Sequence, residues 1–418
     1  MNRYSSYSKL PLEWMGEIPS HWIYTKNRFG FKKWKNGKNE SDETPVLSLT
    51  IKGIKIKKDL SFGKSTESYI GHQLVEKGDI VFTPRDFDQT PILSDVSKYD
   101  GCISNLYIVD KTNDGVLNHY VNYYWYGLKY SVNYFKNFSH GIRFSFNRFQ
   151  FDEIPLLIPP IPEQTKIVSF LDTKTQKIDE LIEKTEQKIE LLKEKRTSLI
   201  NHCVTKGLNP NVEMKDSGVE WIGEIPSGWD KKRLKYFSIL ITEKEDTNKD
   251  DIKISPENVE SYTGVCFNLY SEYEGKGVPF KSGDILLNKL RLYLVKILLP
   301  DYDGFSMGEM IVIRVNENVS NKYYFYLLFN QGLIDLLDSQ STGIKVPRVS
   351  PEIIMGSYLP YPPKDEQTQI VKYLDDKTQK IDSTIEKETK RIELLKEYRQ
   401  SLISEVVTGK VDVRDWKE

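Results

Sequence analysis

Cysteine and histidine are scarce in these 418 residues, at three and five. Cys102, Cys203 and Cys266 lie far apart and form neither a CxxC pair nor a disulfide framework, so a reducing cytoplasm is the expected compartment. His21, His72, His119, His140 and His202 show no metal-ligand spacing, and no metal site is expected. Long apolar runs are missing as well. None approaches the roughly 20 residues that a membrane span needs, and Met1-Asn2-Arg3-Tyr4-Ser5-Ser6 has no apolar signal core.

The signatures of catalysis are also missing. There is no Walker A loop, no HExxH and no nucleophile elbow. No GxGxxG follows a strand, so no nucleotide or S-adenosylmethionine pocket is indicated. Tyr361-Pro362-Pro363 resembles the Pro-Pro-aromatic loop of amino-methyltransferases, but the Asn or Asp before the prolines is absent and a helix-entry turn explains them. No catalytic residue is expected, and the chain reads as a recognition protein.

Charge of one sign is nearly balanced, with a net of −1. Residues 1–160 carry a net +4 and residues 204–364 a net −3. Lys32, Lys33, Lys35 and Lys38, then Lys52, Lys55, Lys57 and Lys58, form the main basic run. Such runs suit phosphate contacts, although most are simply solvated faces.

What the chain does contain, it contains twice. Trp14-Met15-Gly16-Glu17-Ile18-Pro19-Ser20-His21-Trp22 returns as Trp221-Ile222-Gly223-Glu224-Ile225-Pro226-Ser227-Gly228-Trp229. Glu163–Ile200 returns as Glu366–Ile403 with 26 of 38 positions identical. A period above 200 residues is far too long for a solenoid, so each copy is a whole domain followed by a helix. The boundaries read as a first domain over 1–160, a helix over 161–206, a second domain over 207–363, a helix over 364–408 and a tail over 409–418.

Both helical segments are rich in Glu, Lys, Leu, Ile and Gln and have no internal Gly or Pro. Prolines at 159–162 and 360–363 precede them, and Gly207 and Gly409 follow them. Apolar positions recur in steps of four and three. In the first helix they are Ile178, Ile182, Thr185, Ile189, Leu192, Arg196, Leu199 and Cys203. In the second they are Ile381, Ile385, Glu388, Ile392, Leu395, Arg399, Leu402 and Val406. So narrow a stripe predicts an antiparallel coiled coil of the two copies. If the two runs overlap end to end, Ile178 faces Val406, Arg196 faces Glu388 and Arg399 faces Thr185.

The domains read as mixed α/β, giving an α+β chain with pseudo-two-fold symmetry. Strands are expected at Val46–Thr50, Asp79–Thr83, Ile103–Val109, Asp284–Leu287 and Met310–Ile313. Aromatic helices are expected at about Asn118–Phe135 and Asn321–Ser339, with their tyrosines packing the core. Two polar loops recur in each domain. After the Gly-Asp strand come Arg85, Asp86 and Gln89 in one copy, and Asn288, Lys289 and Arg291 in the other. After the aromatic helix come His140, Arg143, Asn147 and Arg148 in one, and Thr342, Lys345 and Arg348 in the other. These residue types can read base edges in a major groove, and they also fill ordinary surface loops.

The repeated Trp-Ile-Gly-Glu-Ile-Pro-Ser-Gly-Trp start resembles the specificity subunit of Type I restriction–modification systems. So do Pro-Pro-x-x-Glu-Gln-Thr-x-Ile-Val, Glu-Leu-Leu-Lys-Glu-x-Arg-x-Ser-Leu-Ile and the ending Val407-Thr408-Gly409-Lys410-Val411-Asp412-Val413-Arg414. The resemblance spans essentially the whole chain. It implies two target-recognition domains, each reading half of a split site in double-stranded DNA, with the long helices as spacer. It also implies a non-catalytic chain that docks two DNA adenine methyltransferase subunits and is joined by restriction–translocase subunits, with S-adenosylmethionine held by the methyltransferase. Two other readings compete. A stand-alone modification enzyme with fused recognition domains would need a cofactor pocket, and a purely structural coiled-coil adaptor would not need two elaborated domains.

Overall fold

A computed structural model describes residues 2–10, 15–32, 37–58, 68–85, 91–132, 134–135, 145, 147–271, 275–343 and 345–417. The chain divides into two compact units, Met1–Thr185 with Lys390–Glu418, and Glu186–Thr389. The division runs through the two long helices, Ile161–Lys206 and Lys364–Val407. Each unit therefore holds one domain plus the start of one long helix and the end of the other.

In the first unit, strands Ile108–Asp110, Ile80–Phe82 and Ser94–Val96 form an antiparallel sheet in that order. The helix Asn118–Val132 covers it with Tyr120, Tyr124, Trp125 and Leu128 fully buried. A core of aromatic rings results, with Trp125 stacked on Phe31 at 5.7 Å and edge-on to Phe82 at 5.1 Å. Both long helices enter this core. Ile167, Phe170 and Leu171 come from the start of the first, and Leu402, Ile403, Val406 and Val407 from the end of the second. Gly127 lets the aromatic helix approach the second long helix closely, because a Cβ there would collide with Val407. Phe170 meets Trp416 and Asp179 meets Arg399, so the two helix ends run antiparallel.

The second unit repeats the plan. Strands Ser238–Ile241, Met310–Val315, Ile285–Asn288 and Ile297–Leu298 form one sheet in that order. Ile200, Cys203 and Val204 from the end of the first long helix, and Ile370 and Leu374 from the start of the second, complete its core. Cys203 is an inert thiol, pushed up to about 11 by burial. Arg196 pairs with Asp382 and Lys188 with Glu388, so these helix segments are also antiparallel.

The duplicated sequence motifs are the sockets of these contacts. Trp22 Nε1 donates to Glu163 Oε1 at 2.9 Å, and Trp229 Nε1 donates to Glu366 Oε2 at 2.8 Å. Gly409 lies so close to Pro19 that a Cβ would collide with it, and a Cβ on Gly207 would press on Trp229 at 3.2 Å. The Glu-Ile-Pro-Ser-x-Trp motif thus joins the end of one long helix to the start of the other within each unit. The adjacent glutamine does similar work. Gln164 accepts from Leu117 N at 2.8 Å and Gln367 from Ser320 N at 2.8 Å, and each anchors the entry of an aromatic helix.

Three sequence expectations change. The strand expected over Ile103–Val109 is two strands, Gly101–Ile103 and Ile108–Asp110, split by a turn in which Tyr107 N donates to Ser104 O. The helix expected over Asn321–Ser339 is two helices, Asn321–Leu327 and Gln331–Ser339, because Asn330 caps the second through Leu333 N. The helix register also differs. Arg196 Nε meets Asp382 Oδ1 at 2.9 Å, not Glu388, which binds Lys188, and Arg399 Nε meets Asp179 Oδ1 at 2.9 Å, not Thr185. The two arginine pairs thus sit six residues from the end-to-end alignment. The apolar runs do not overlap end to end because Cys203, Leu402 and Val406 are spent in the domain cores.

Along the stripe, Ile178, Thr185, Ile189, Ile381, Ile392 and Leu402 are buried. Ile182, Leu192, Arg196, Leu199, Ile385, Glu388 and Leu395 are half-buried. The buried stripe also continues past the expected run to Thr175 and Thr378. Their hydroxyls donate to Leu171 O and Leu374 O at 2.7 Å, which satisfies them inside the helix.

Candidate nucleic-acid interface

In each domain the fold starts the loop after the Gly-Asp strand from a rigid corner. Gly78 and Gly283 take positive φ, at 97° and 87°, as this tight turn requires. The next carboxylates accept backbone bonds, Asp79 from Glu76 N and Asp284 from Lys281 N, both at 2.8 Å. Arg314 clamps Asp284 through two bonds of 2.8 and 2.6 Å. Asn118 and Asn321, at the heads of the aromatic helices, donate to Gly78 O and Gly283 O and lock helix to corner.

The two polar loops of each domain come together. In the first, Arg85 bridges Ser145. In the second, Leu290 bridges Arg348, Arg291 N donates to Pro347 O at 2.8 Å and Val349 N donates to Lys289 O at 3.0 Å. Arg348 and Thr342 close the second loop with two reciprocal backbone bonds of 2.9 Å. Segments separated by about 60 residues in sequence therefore form one surface per domain.

Individual side chains divide sharply. Arg291, Thr342, Lys345, Arg348 and Arg85 are exposed. Lys289 and Arg348 share the carboxylate of Glu309, Lys289 at 3.4 Å, so part of this basic charge is neutralised at home. Asn288 is 4% exposed and its amide bonds the backbone of Leu290, so burial corrects its assignment as a base-reading residue. Asn147 caps the helix Arg148–Asp152 in a reciprocal box with Gln150. Arg148 is held by Asp110 at 2.8 Å and Asp152 at 2.9 Å and lies over Phe151. Both side chains thus hold the loop in place. Asp86, Gln89, His140 and Arg143 lie outside the described residues.

The sequence reading missed a third loop, Glu260–Ser271 of the second unit. Tyr262, Phe267 and Tyr270 are exposed on it, beside Tyr293. Tyr262 N donates to Val295 O at 3.0 Å and Tyr262 Oη to Tyr293 O at 2.8 Å. Tyr262, Arg291 and Val295 all have positive φ, at 65°, 50° and 45°. Each such residue costs about 1–3 kcal/mol, and for a buried β-branched valine it is a genuine outlier. Exposed aromatics near Gly264 in an aperiodic stretch were the available signal.

A sequence profile described as the Type I restriction modification DNA specificity domain matches residues 24–191 and again 226–396. The chain belongs to this family. Each matched copy spans a recognition domain and most of the long helix that follows. The family's Type I restriction enzyme MjaVIII specificity subunit from Methanocaldococcus jannaschii is 25% identical over 316 residues, 70% of this chain and 71% of that one. The EcoDI specificity subunit from Escherichia coli is 22% identical over 288 residues, 63% of this chain and 64% of that one. The fold is shared with the HsdS subunit from Thermoanaerobacter tengcongensis, at TM-score 0.53, 13% identity and coverage of 96% and 100%. A chain solved in work on complex assembly and conformational transition of the type I R-M system gives TM-score 0.68 at 12% identity, covering 94% of this chain and 99% of that one.

Proposed function

We propose that this specificity subunit reads a two-part site in double-stranded DNA, one half per recognition domain, and supplies no catalysis itself. It docks two DNA adenine methyltransferase subunits, and restriction–translocase subunits join that core. S-adenosylmethionine belongs to the methyltransferase, and the complex works in the cytoplasm. Among the described residues no helix is long and apolar enough to cross a membrane. The observation that carries the reading is the convergence of two polar loops on one surface in each duplicated domain. Arg85, Arg291, Lys345 and Arg348 are its exposed cations, suited to phosphate and guanine contacts.

Purified alone, the chain should neither bind S-adenosylmethionine nor methylate DNA. With its cognate methyltransferase it should direct adenine methylation to a bipartite motif, read by sequencing methylated genomic DNA. Replacing residues 1–160 with the matching domain of a relative should alter one half of that motif. Methyl transfer by the single chain, or simultaneous change of both halves, defeats the proposal.

A further inference from the structure

Arg196 was expected as a polar interruption of the coiled-coil stripe, yet its guanidinium bonds more than the helix opposite. Nε donates to Asp382 Oδ1 at 2.9 Å, Nη1 to Tyr262 O at 3.0 Å and Nη2 to Thr263 O at 3.4 Å. One planar cation therefore ties both long helices to the third loop of the second domain. That loop leads directly to the DNA-reading surface. Tyr262 bonds Val295 O and Tyr293 O, and the left-handed pair Arg291 and Val295 brackets the turn Leu292–Leu294. Arg291 in turn bonds Pro347 in the second polar loop. A second path closes the ring. Arg196 lies 6.0 Å from the Phe329 ring, Phe329 packs on Phe325 at 5.0 Å, and Phe325 fills the space where Gly264 lacks a Cβ.

Strained backbone persists only where its surroundings over-determine it. Here Arg196 grips the strained Tyr262 directly, and Tyr262 bonds the strained Val295. The duplicate arginine makes the contrast. Arg399 pairs with Asp179 as Arg196 does with Asp382, but its other neighbour is Tyr130 on the aromatic helix. Among the described residues, the tether to a loop is seen in the second unit.

We propose that Arg196 is a positioning residue for the second half-site: it holds the strained Tyr262–Val295 pairing, and through it Arg291, in register with the spacer helices. The inference rests on the DNA-reading role proposed above. The test uses the full chain with its methyltransferase, as wild type, Arg196→Ala, Arg196→Lys and Lys188→Ala, the last removing an exposed ion pair on the same helix. Methylated motifs are mapped by sequencing, and hydrogen exchange is followed at the Tyr262 and Val295 amides. In Arg196→Ala, discrimination against single mismatches in the second half should fall about tenfold, a large part of one mismatch penalty, with the first half unchanged. Both amides should exchange faster. Arg196→Lys should fall between, because a point charge cannot bridge all three acceptors, and Lys188→Ala should match wild type. An unchanged second half-site in Arg196→Ala, or equal relaxation of both halves, overturns the inference alone. If Arg196→Ala does not fold, the lysine variant decides by the same two measurements. A wild-type complex with no bipartite motif overturns the functional reading beneath it.

Discussion

The first unit holds Glu163 with three donors, the phenol of Tyr4 at 2.6 Å, the indole of Trp22 at 2.9 Å and the ring of His21 at 2.7 Å. The second unit holds the duplicate Glu366 with Trp229. A similar divergence surrounds the sheet. Strand pairing sets Asp110 opposite Ile80 and Ile313 opposite Ile285, so a buried acid in one domain replaces a buried isoleucine in the other. One residue on, Lys111 lies 3.9 Å from Asp79, where Arg314 clamps Asp284 bidentately. The aromatic helix runs unbroken through Gly127 in the first unit and stops before Asn330 in the second. Duplication preserved the junction between domain and helices, while the polar groups around it drifted.

Cutting the chain near residue 207 breaks the comparison most severely. The fragment carries one domain and the first long helix, with its stripe unpartnered. Two copies should pair antiparallel in a two-fold interface. Asp179 is the duplicate of Asp382, so the register seen in the intact chain offers Arg196 of each copy a carboxylate. We expect a dimer at micromolar concentration by light scattering, directing methylation to a palindrome of one half-site. A monomer that directs none refutes equivalence of the two helices.

Glu163→Ala against Glu366→Ala comes next. Orphaning three donors should cost about 3–5 kcal/mol, and orphaning one about 1–2. Equal losses in denaturant unfolding would show that the extra donors in the first unit are idle.

Asp110 sharpens the difference between the sheets. Burial pushes it up to about 6 although Arg148 pulls the other way, and its Oδ2 has no donor among the described residues. A raised acid stabilises the fold fully below its ordinary pKa near 4, and that stability is lost as pH rises through about 6. Asp110→Asn should therefore lose about 2–3 kcal/mol less than wild type between pH 4 and 7. Thermal unfolding across that range checks it, and parallel curves would assign the burial no cost.

The smallest effect is expected from Lys188→Ala. Its ion pair with Glu388 belongs to the second unit, because Thr185 stands where that glutamate would be in the first. The lysine is half exposed, so the loss should be under about 1 kcal/mol. A larger drop in melting would show a pair more dehydrated than its exposure implies.

Local pattern made the long helices legible, since heptad spacing, proline stops and closing glycines lie within one segment. The loops around Arg85 and Arg291, after the Gly-Asp strand, and around Arg348, after the aromatic helix, were legible as loops from residue type and place. Their joining was not, because Arg291 and Pro347 meet through backbone bonds between distant segments. Nor was the role of the repeated tryptophan motif, whose partners Glu163 and Gly409 are remote in sequence. Periodicity fixed a stripe for Arg196 but left its register open, and no pattern distinguishes a seam arginine from one that also grips a loop. Asn147, Arg148 and Asn288 show the converse: residue types that read DNA also cap helices and fasten turns.

The discontinuity of the first unit bears on how the protein is made. Residues 186–389 form a contiguous stretch of chain, so the second unit has all its parts once the second long helix has been synthesised as far as Thr389. The first unit still lacks Leu402, Ile403, Val406 and Val407 at that moment. The first unit must therefore wait, with part of its core open, until the end of the second long helix has been made. Domains otherwise tend to fold in the order they are made; here the unit that begins earlier in the chain is completed after the one that follows it.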